Sequence, residues 1–246
     1  MRRWLDPLLD LLFPALCPVC QTRSDDPAHR PFCAACWRAL PLLEGPVCGV
    51  CGQPLPGVAA GLPCPACRRA PPPYAFARAV AAYRDGMRAA IHALKYDGRI
   101  ALARPLGALL AEAGPARLPA VPGGRADESV EAIVPVPLHP ARLAQRGFNQ
   151  AELLAAPCAE RWEVPLLPRV LVRARPTRPQ TELDGAARRA NVAGAFQVAR
   201  PDAVAGRRVL LVDDVLTTGA TVGAAAHALR EGGAAAVGVL VLARVT

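Results

Sequence analysis

Residues 209–222 constrain the fold of this chain more than any other segment. They read Val-Leu-Leu-Val-Asp-Asp-Val-Leu-Thr-Thr-Gly-Ala-Thr-Val. The four apolar residues at 209–212 predict a short, buried parallel strand that ends at two carboxylates, Asp213 and Asp214. A small, hydroxyl-rich loop then leads into an alanine-rich helix that extends to about residue 230. A strand, a loop and a helix in this order predict an α/β fold with a ligand site beyond the carboxyl end of the strand.

The side chains of this junction suit a sugar phosphate. A loop that runs into a helix offers unpaired N–H groups and a favourable dipole to a phosphate. Gly219 and Ala220 let the backbone approach closely, and the neighbouring threonines add hydroxyl groups. Asp213 and Asp214 can hold Mg²⁺ or the two hydroxyls of a sugar. We therefore expect a ribose 5-phosphate site; the alternative is a plain strand–turn–helix junction whose acids cap the helix.

Two other nucleotide-binding folds lack their fingerprints in this chain. There is no G-x-x-x-x-G-K-[ST] sequence, and Lys95, the one lysine, follows a leucine. There is no G-x-G-x-x-G sequence either, which disfavours a dinucleotide fold. The unbroken order of four apolar residues, two acids and T-T-G-A-T instead resembles the 5-phosphoribosyl 1-pyrophosphate (PRPP) signature of the type I phosphoribosyltransferases.

Eight cysteines form four C-x-x-C pairs near the N-terminus: Cys17 and Cys20, Cys33 and Cys36, Cys48 and Cys51, and Cys64 and Cys67. In each half, 12 residues separate the two pairs. Two C-x-x-C turns complete a tetrahedral Cys₄ zinc site, so this array predicts two structural zinc ions. We expect the pairs to combine in sequence order, although interleaved pairing and iron–sulfur ligation fit the same spacing. Disulfides are disfavoured because the chain shows no secretion signal.

Composition narrows the function classes. The length of 246 residues suits one α/β domain with a small appendage. The net charge of +9 favours anionic ligands or nucleic acid, or reflects an arginine-rich coding bias. Aromatic residues make up 4%, which argues against an extended stacking platform for single strands. No apolar stretch approaches the ~20 residues of a membrane span, and Asp6, Pro7 and Asp10 interrupt a would-be signal peptide, so we expect a cytoplasmic protein.

The pattern along the chain predicts a domain order. Leucines at helical spacing predict a short amphipathic helix in residues 1–16. A double zinc ribbon follows at 17–70, a proline linker at 71–75, and an α/β domain at 76–246. Within that domain we predict strands at 76–83, 132–136, 165–172 and 237–245, helices at 86–95 and 100–113, and a loop at 114–129. Alternating strands and helices predict a parallel sheet with helices on both faces.

Two basic segments are candidates for binding a polyanion. Arg142 and Arg146 follow the predicted strand at 132–136 and are spaced to face one anion, with Asn149 as the N-cap of the next helix. This arrangement predicts a second phosphate cradle, for pyrophosphate, or simply a solvated helix start. Residues 173–196 are polar, basic and rich in proline, which is typical of a mobile lid and also of a disordered surface loop.

The complete set of motifs resembles the ComF family. C-G-Q-P lies at the third cysteine pair, L-K-Y-D-G-R lies at 94–99, and V-P-V-P-L-H precedes R-G-F-N-Q. The pattern R-x-R-x-T-x-x-Q-x-x-L spans the beginning of the second basic segment, ahead of D-D-V-x-T-T-G-A-T. The resemblance covers residues 17–244. It implies a double zinc ribbon fused to a type I phosphoribosyltransferase (Rossmann-like) domain.

The resemblance also implies roles for individual residues. Asp213 and Asp214 would hold the ribose hydroxyls of PRPP, with Mg²⁺ bridging ribose and pyrophosphate, and Arg173 and Arg175 would lie in a flexible catalytic loop. PRPP would be bound by Val136, Pro137, Leu138, Arg142, Arg146, Gln180, Val215, Thr217, Thr218, Gly219, Ala220 and Thr221. The reaction would displace pyrophosphate from the anomeric carbon.

Two alternative functions fit the same motifs. One is a PRPP sensor without turnover, and the other is an accessory protein of natural competence that handles single-stranded DNA with partner competence proteins. Lys95 is a further anion contact or, as is commoner for a lysine after an amphipathic helix, simply solvated.

Overall fold

A parallel β-sheet forms the centre of the molecule. The computed structural model describes residues 15–55, 57, 61–112, 130–175 and 194–246; the predicted loop at 114–129 and all but the last two residues of the predicted N-terminal helix lie outside them. The strands are β1 (Phe76–Ala82), β2 (Ala132–Pro135), β3 (Leu171–Arg173), β4 (Phe196–Val198), β5 (Arg208–Leu216) and β6 (Ala236–Arg244). Four of them form the sheet in the order β1-β6-β5-β2, with every pair parallel. The expected α/β class is confirmed.

Helices cover both faces of this sheet. They are α1 (Ala34–Arg38), α2 (Pro65–Arg69), α3 (Asp85–Tyr96), α4 (Ala103–Ala111), α5 (Pro140–Arg146), α6 (Gln150–Trp162) and α7 (Ala220–Glu231), with short 3-10 turns at Ile100–Leu102 and Pro201–Ala203. Leu210 and Val212 of β5 pack in one hydrophobic cluster with residues of α3, α4 and α6. Val209 and Leu211 pack in the other, with α7. Alternate residues of a strand point to opposite faces, so both faces of the apolar run are buried. In the described part of the chain, no helix has the length and apolar character needed to cross a membrane.

The predicted end of the central strand is wrong. The sequence pattern ended this strand at the two carboxylates, but β5 continues beyond them to Leu216, which pairs with Arg244 of β6. The pairing with a neighbouring strand decides where a strand ends, and β6 is long enough to extend it. Both carboxylates therefore lie inside the ladder and not on a loop.

The strand predicted at 165–172 is also wrong. Within the described residues, Leu166 makes a single parallel bridge to Ile133 of β2. The next extended residues, in β3, pair antiparallel with β4 in a separate two-stranded sheet. Pro165 and Pro168 lack the N–H that a continuous ladder requires, which interrupts the segment.

The cysteine-rich module covers the free edge of β1. The N–H of Ala77 donates to the carbonyl of Val50 at 2.6 Å, and the N–H of Leu43 donates to the carbonyl of Val80 at 2.9 Å. Two arginines of the sheet also donate to the module: Arg78 to the carbonyl of Gly49 at 3.1 Å, and Arg244 to the carbonyl of Cys51 at 2.6 Å. An uncovered edge strand would present unpaired backbone groups. The module therefore pairs the edge of the sheet, in addition to preceding the sheet in the chain.

Candidate functional site

The loop between β5 and α7 has the geometry of an anion-binding turn. Thr217 and Thr218 are exposed, and Gly219 precedes α7 as its N-cap with φ 82°. This left-handed conformation strains any residue that has a Cβ, which accounts for glycine here. The N–H of Ala220 donates to Thr218 Oγ1 at 3.4 Å. Since the first N–H groups of a helix have no partner within the helix, and the dipole is positive at this end, the loop suits a phosphate.

The two carboxylates next to this loop are buried. Asp213 and Asp214 are 8% and 4% exposed. Asp213 Oδ1 accepts the N–H of Asp214 at 2.9 Å. Burial, and then the charge of Asp214, raise the pKa of the Asp213 carboxyl to about 8. This raised pKa favours the protonated form of Asp213 near neutral pH, and a ligand that needs the ionised form must displace that proton.

Lys95 forms an ion pair with Asp214, so of the two alternatives given for this lysine, the solvated side chain is wrong. Its Nζ lies 2.5 Å from Asp214 Oδ2, and the two side chains are 17% and 6% exposed. Burial acts to lower the pKa of Lys95, but the charge of Asp214 and its hydrogen bond outweigh this effect and raise the pKa above its usual value. The helical periodicity of α3 locates Lys95 in the last turn but gives no indication that this turn lies against the carboxyl end of β5.

The segment after β2 lies directly beside the acids. The N–H of Val136 donates to the carbonyl of Val212 at 2.9 Å, which keeps residues 136–138 level with the carboxyl end of β5. Asn149 Oδ1 accepts the N–H of Ala151 at 3.1 Å, so Asn149 is the N-cap of α6, as predicted. Its Nδ2 donates to the carbonyl of Val136 at 3.1 Å. One side chain thus begins the helix and holds the 136–138 turn in place.

A cavity of about 500 Å³ opens next to these residues. Lys95, Arg142 and Arg146 contribute three positive charges to it, and the described residues that line it include no carboxylate. The guanidinium of Arg146 lies 5.4 Å from the centre of the Tyr96 ring. Burial lowers the pKa of Arg146, while the charge of Asp214 acts to raise it, so the cavity and the acid pair share one electrostatic environment. A positive cavity beside a buried acid pair suits a polyanion.

The predicted catalytic loop is brought only partly to the site. Arg173, at the end of β3, is half-buried with its guanidinium 5.4 Å from the centre of the Phe196 ring. Burial and the charge of Arg142 lower the pKa of Arg173, and the charge of Asp213 opposes this shift. Arg173 therefore lies within electrostatic range of both the acid pair and the cavity. Arg175 is exposed, and Gln180 lies outside the described residues.

The eight N-terminal cysteines form two compact clusters. One contains Cys17, Cys20, Cys33 and Cys36, and the other contains Cys48, Cys51, Cys64 and Cys67; in each, the sulfur atoms lie within 4.8 Å of one another. Individual Sγ–Sγ distances are 3.6 Å in the first and 3.8 Å in the second. Sulfurs held around one tetrahedral zinc are about 3.8 Å apart, whereas a disulfide is about 2.05 Å. The donor set and its spacing fit one zinc ion in each cluster.

Backbone N–H groups favour the thiolate form of Cys48 in the second cluster. Burial raises the pKa of Cys48, but N–H groups of Cys64 and Cys51, which lie 3.1 Å and 3.4 Å from its Sγ, outweigh this effect and lower the pKa to about 6. Hydrogen bonds to a ligand sulfur stabilise its charged, metal-binding form. The backbone around Cys48 therefore favours the charged form of this thiol, which is the form that binds a metal.

Comparison with known proteins agrees with this architecture. Residues 8–68 match the double zinc ribbon domain family, and residues 153–245 match the phosphoribosyl transferase domain family. The chain is 35% identical over 237 residues to the DNA utilization protein YhgH of Escherichia coli K12, covering 95% of this chain and 99% of that protein. It is 31% identical over 221 residues to competence protein F of Haemophilus influenzae, covering 88% and 92%. The chain belongs to the ComF family. A ComF protein thus combines a double zinc ribbon with a phosphoribosyltransferase domain.

A further relative matches about half of this chain. The chain is 38% identical over 112 residues to the adenine phosphoribosyltransferase of Treponema pallidum, covering 46% of this chain and 52% of that protein. The name of this relative agrees with the phosphoribosyl transferase domain match at residues 153–245.

Proposed function

We propose that this ComF protein binds PRPP and transfers its phosphoribosyl group in a Mg²⁺-dependent reaction that releases pyrophosphate. One observation carries the proposal: a glycine-capped phosphate loop, a buried acid pair and a cavity lined by three cations lie side by side. These three features match the 5-phosphate, the ribose diol and the pyrophosphate of one PRPP molecule.

Each element has a distinct part in binding. Val215 and the 217–221 loop hold the 5-phosphate with N–H and hydroxyl donors. Asp213 and Asp214 accept hydrogen bonds from the two ribose hydroxyls. Residues 136–138, with Arg142 and Arg146, hold the pyrophosphate. Arg173, Arg175 and Gln180 belong to the catalytic loop that the family resemblance implies, and the charge of Asp213 acts on Arg173.

The chemistry is displacement at the anomeric carbon. The bond from that carbon to the pyrophosphate oxygen breaks, and its electron pair leaves with the pyrophosphate. A nitrogen of a base or amine acceptor forms the new bond and gives up a proton. The chain's main contribution is to stabilise the leaving charge with Arg142 and Arg146. Carboxylate oxygens of Asp213 and Asp214 are hard donors that suit Mg²⁺, which supplies further charge neutralisation when bound.

The two cysteine clusters serve structure. We propose one zinc in each, closed to substrate because four thiolates complete the coordination. On this basis residues 17–70 form the zinc module and residues 76–246 form the transferase domain, joined by the prolines of 71–75. None of the nine described cysteines forms a disulfide, and we propose a reducing, cytoplasmic location.

A calorimetric titration tests the proposed ligand. PRPP with Mg²⁺, added to the zinc-loaded protein, is expected to bind at one molecule per chain with a dissociation constant below about 1 mM. The affinity for PRPP is expected to be higher above pH 8 than at pH 6. The pKa of Asp213 is raised, so below about pH 8 a bound proton competes with the ligand. Asp213→Asn is the control, since it cannot ionise and loses this part of the pH dependence. Absence of saturable binding at every pH would contradict the proposal.

A second candidate function is handling of single-stranded DNA. The names of the YhgH and competence F relatives and the net charge of +9 favour it. Its test is the salt dependence of binding to a fluorescent oligonucleotide. Three or four phosphate contacts predict an affinity that falls by about 30-fold between 50 and 200 mM salt. An interaction that is absent, or that salt does not weaken, would remove this function.

A further inference from the structure

Lys95 is exceptional in both its chemistry and its position. It is the single lysine among 29 basic residues, and all the others are arginine. Its ammonium pairs with Asp214 at 2.5 Å, inside the site assigned above to the ribose. The same side chain lines the positive cavity that contains Arg142 and Arg146. Lys95 therefore borders two proposed subsites: the ribose subsite, which contains the acid pair, and the cavity proposed for the pyrophosphate.

The ion pair has a function in the ligand-free protein. Asp214 is buried next to Asp213, and its negative charge would be costly there without a partner. Lys95 supplies that partner. However, the ammonium lies against Asp214 Oδ2, one of the two oxygens that Asp214 offers to a ribose hydroxyl. A hydroxyl that binds at this oxygen therefore competes with Lys95 for it.

The cavity offers the ammonium a second position. A diphosphate group bound between Arg142 and Arg146 would bring negative charge to the other side of Lys95. We propose that Lys95 is a movable counter-ion, which neutralises Asp214 in the free protein and transfers to the diphosphate of the ligand when that group enters the cavity. This inference rests on the proposed function and assigns to it a further binding residue and an order of events.

The choice of lysine over arginine agrees with movement. Lysine is a compact charge on a flexible four-carbon stem, whereas the guanidinium is a planar fork that binds a carboxylate by two hydrogen bonds. An arginine at position 95 would hold Asp214 more rigidly. The helix also ends next to Lys95: Tyr96 is its last residue, and Gly98 with φ 64° turns the chain away at the rim of the cavity.

Transfer of the counter-ion links the two halves of the ligand. Once a diphosphate holds Lys95, Asp214 is free to accept the ribose hydroxyls, so each half should favour binding of the other. Linkage requires the effect to be mutual and equal in size. The wild-type protein is therefore expected to bind ribose 5-phosphate about 5-fold or more tightly when inorganic pyrophosphate is saturating.

Calorimetry with pyrophosphate and ribose 5-phosphate, separately and together, tests this proposal on full-length, zinc-loaded protein. Lys95→Met is expected to weaken pyrophosphate binding by about 10- to 100-fold, the range for losing a charged hydrogen bond, and to abolish the mutual enhancement. Ribose 5-phosphate alone is expected to bind at least as well as to wild type. Arg99→Met removes a nearby cation that does not line the cavity and should change neither ligand's affinity.

The outcomes distinguish a failure of this inference from a failure of the proposed function. Wild-type protein that binds neither PRPP nor pyrophosphate would contradict the proposed function itself. If wild type binds both, and Lys95→Met loses ribose 5-phosphate but keeps pyrophosphate, Lys95 is a fixed partner of Asp214 and the inference is wrong.

A second variant, Lys95→Arg, keeps the positive charge and the fold. It is expected to bind PRPP about 10-fold more weakly, because the guanidinium holds Asp214 by two hydrogen bonds. A Lys95→Arg protein with wild-type PRPP affinity would also contradict the proposal that the counter-ion must leave Asp214.

Discussion

Replacing Cys48 and Cys51 together by serine is expected to lower the unfolding temperature by about 10 °C or more and to reduce bound zinc from two ions per chain to one. The second ribbon has little core besides its ligands: its buried cluster consists of Cys48, Cys64 and Cys67, with three partly buried residues packed against it. Among the described residues of this segment, no larger apolar core stands in for the metal. A structural zinc site in such a small module supplies most of its folding free energy.

The loss should extend into the transferase domain. The ribbon covers the edge of β1, where Ala77 donates to Val50 and Arg78 donates to Gly49. Arg244, which is 5% exposed, donates to the carbonyl of Cys51 and contacts the side chain of Gln53. Unfolding the ribbon leaves this buried guanidinium without those acceptors. Because Arg244 pairs with Leu216, just before the phosphate loop, PRPP affinity should fall as well.

Differential scanning calorimetry and metal analysis measure the two effects. Cys158→Ser is the control: Cys158 is a buried thiol outside both clusters, so this variant should keep both zinc ions. A Cys48→Ser/Cys51→Ser protein that kept two zinc ions, or that unfolded at the wild-type temperature, would contradict the assignment of the second cluster.

Asp213→Asn combined with Asp214→Asn is expected to weaken PRPP binding by at least about 100-fold. Each substitution removes a charged acceptor for a ribose hydroxyl, and such hydrogen bonds are worth about 1.5–3 kcal/mol each. The Asp214 change also leaves Lys95 buried beside a neutral amide, so the ammonium loses its ion pair. Calorimetry with PRPP and Mg²⁺ measures the change.

Asp202→Asn provides a matched control. Asp202 is an exposed carboxylate in the 3-10 turn before β5, away from the acid pair, and its loss should leave PRPP affinity unchanged. Circular dichroism and zinc content establish that the double variant is folded. Wild-type affinity in the folded double variant would be incompatible with a ribose site at these carboxylates.

The sequence was most informative where chemistry depends on residues close together in the chain. The spacing of the cysteines predicted two metal clusters, and residues 213–221 predicted an acid pair followed by a phosphate-type loop. Asn149 was predicted as a helix cap and is one. Each of these features depends on the backbone conformation of a few neighbouring residues, because a C-x-x-C turn or a glycine N-cap needs no distant partner.

The tertiary structure decided what depends on distant partners. β6 extends β5 through both carboxylates, two prolines interrupt the strand predicted at 165–172, and the zinc module covers the edge of β1. The pairing of Lys95 with Asp214 belongs to the same class. The helix pattern around Lys95 was correct, but whether the side chain is solvated depends on where the carboxyl end of β5 lies. Charge pairing acts through space, so the sequence alone determined which charges this protein has, and the packing of α3 against the sheet decided which of them meet.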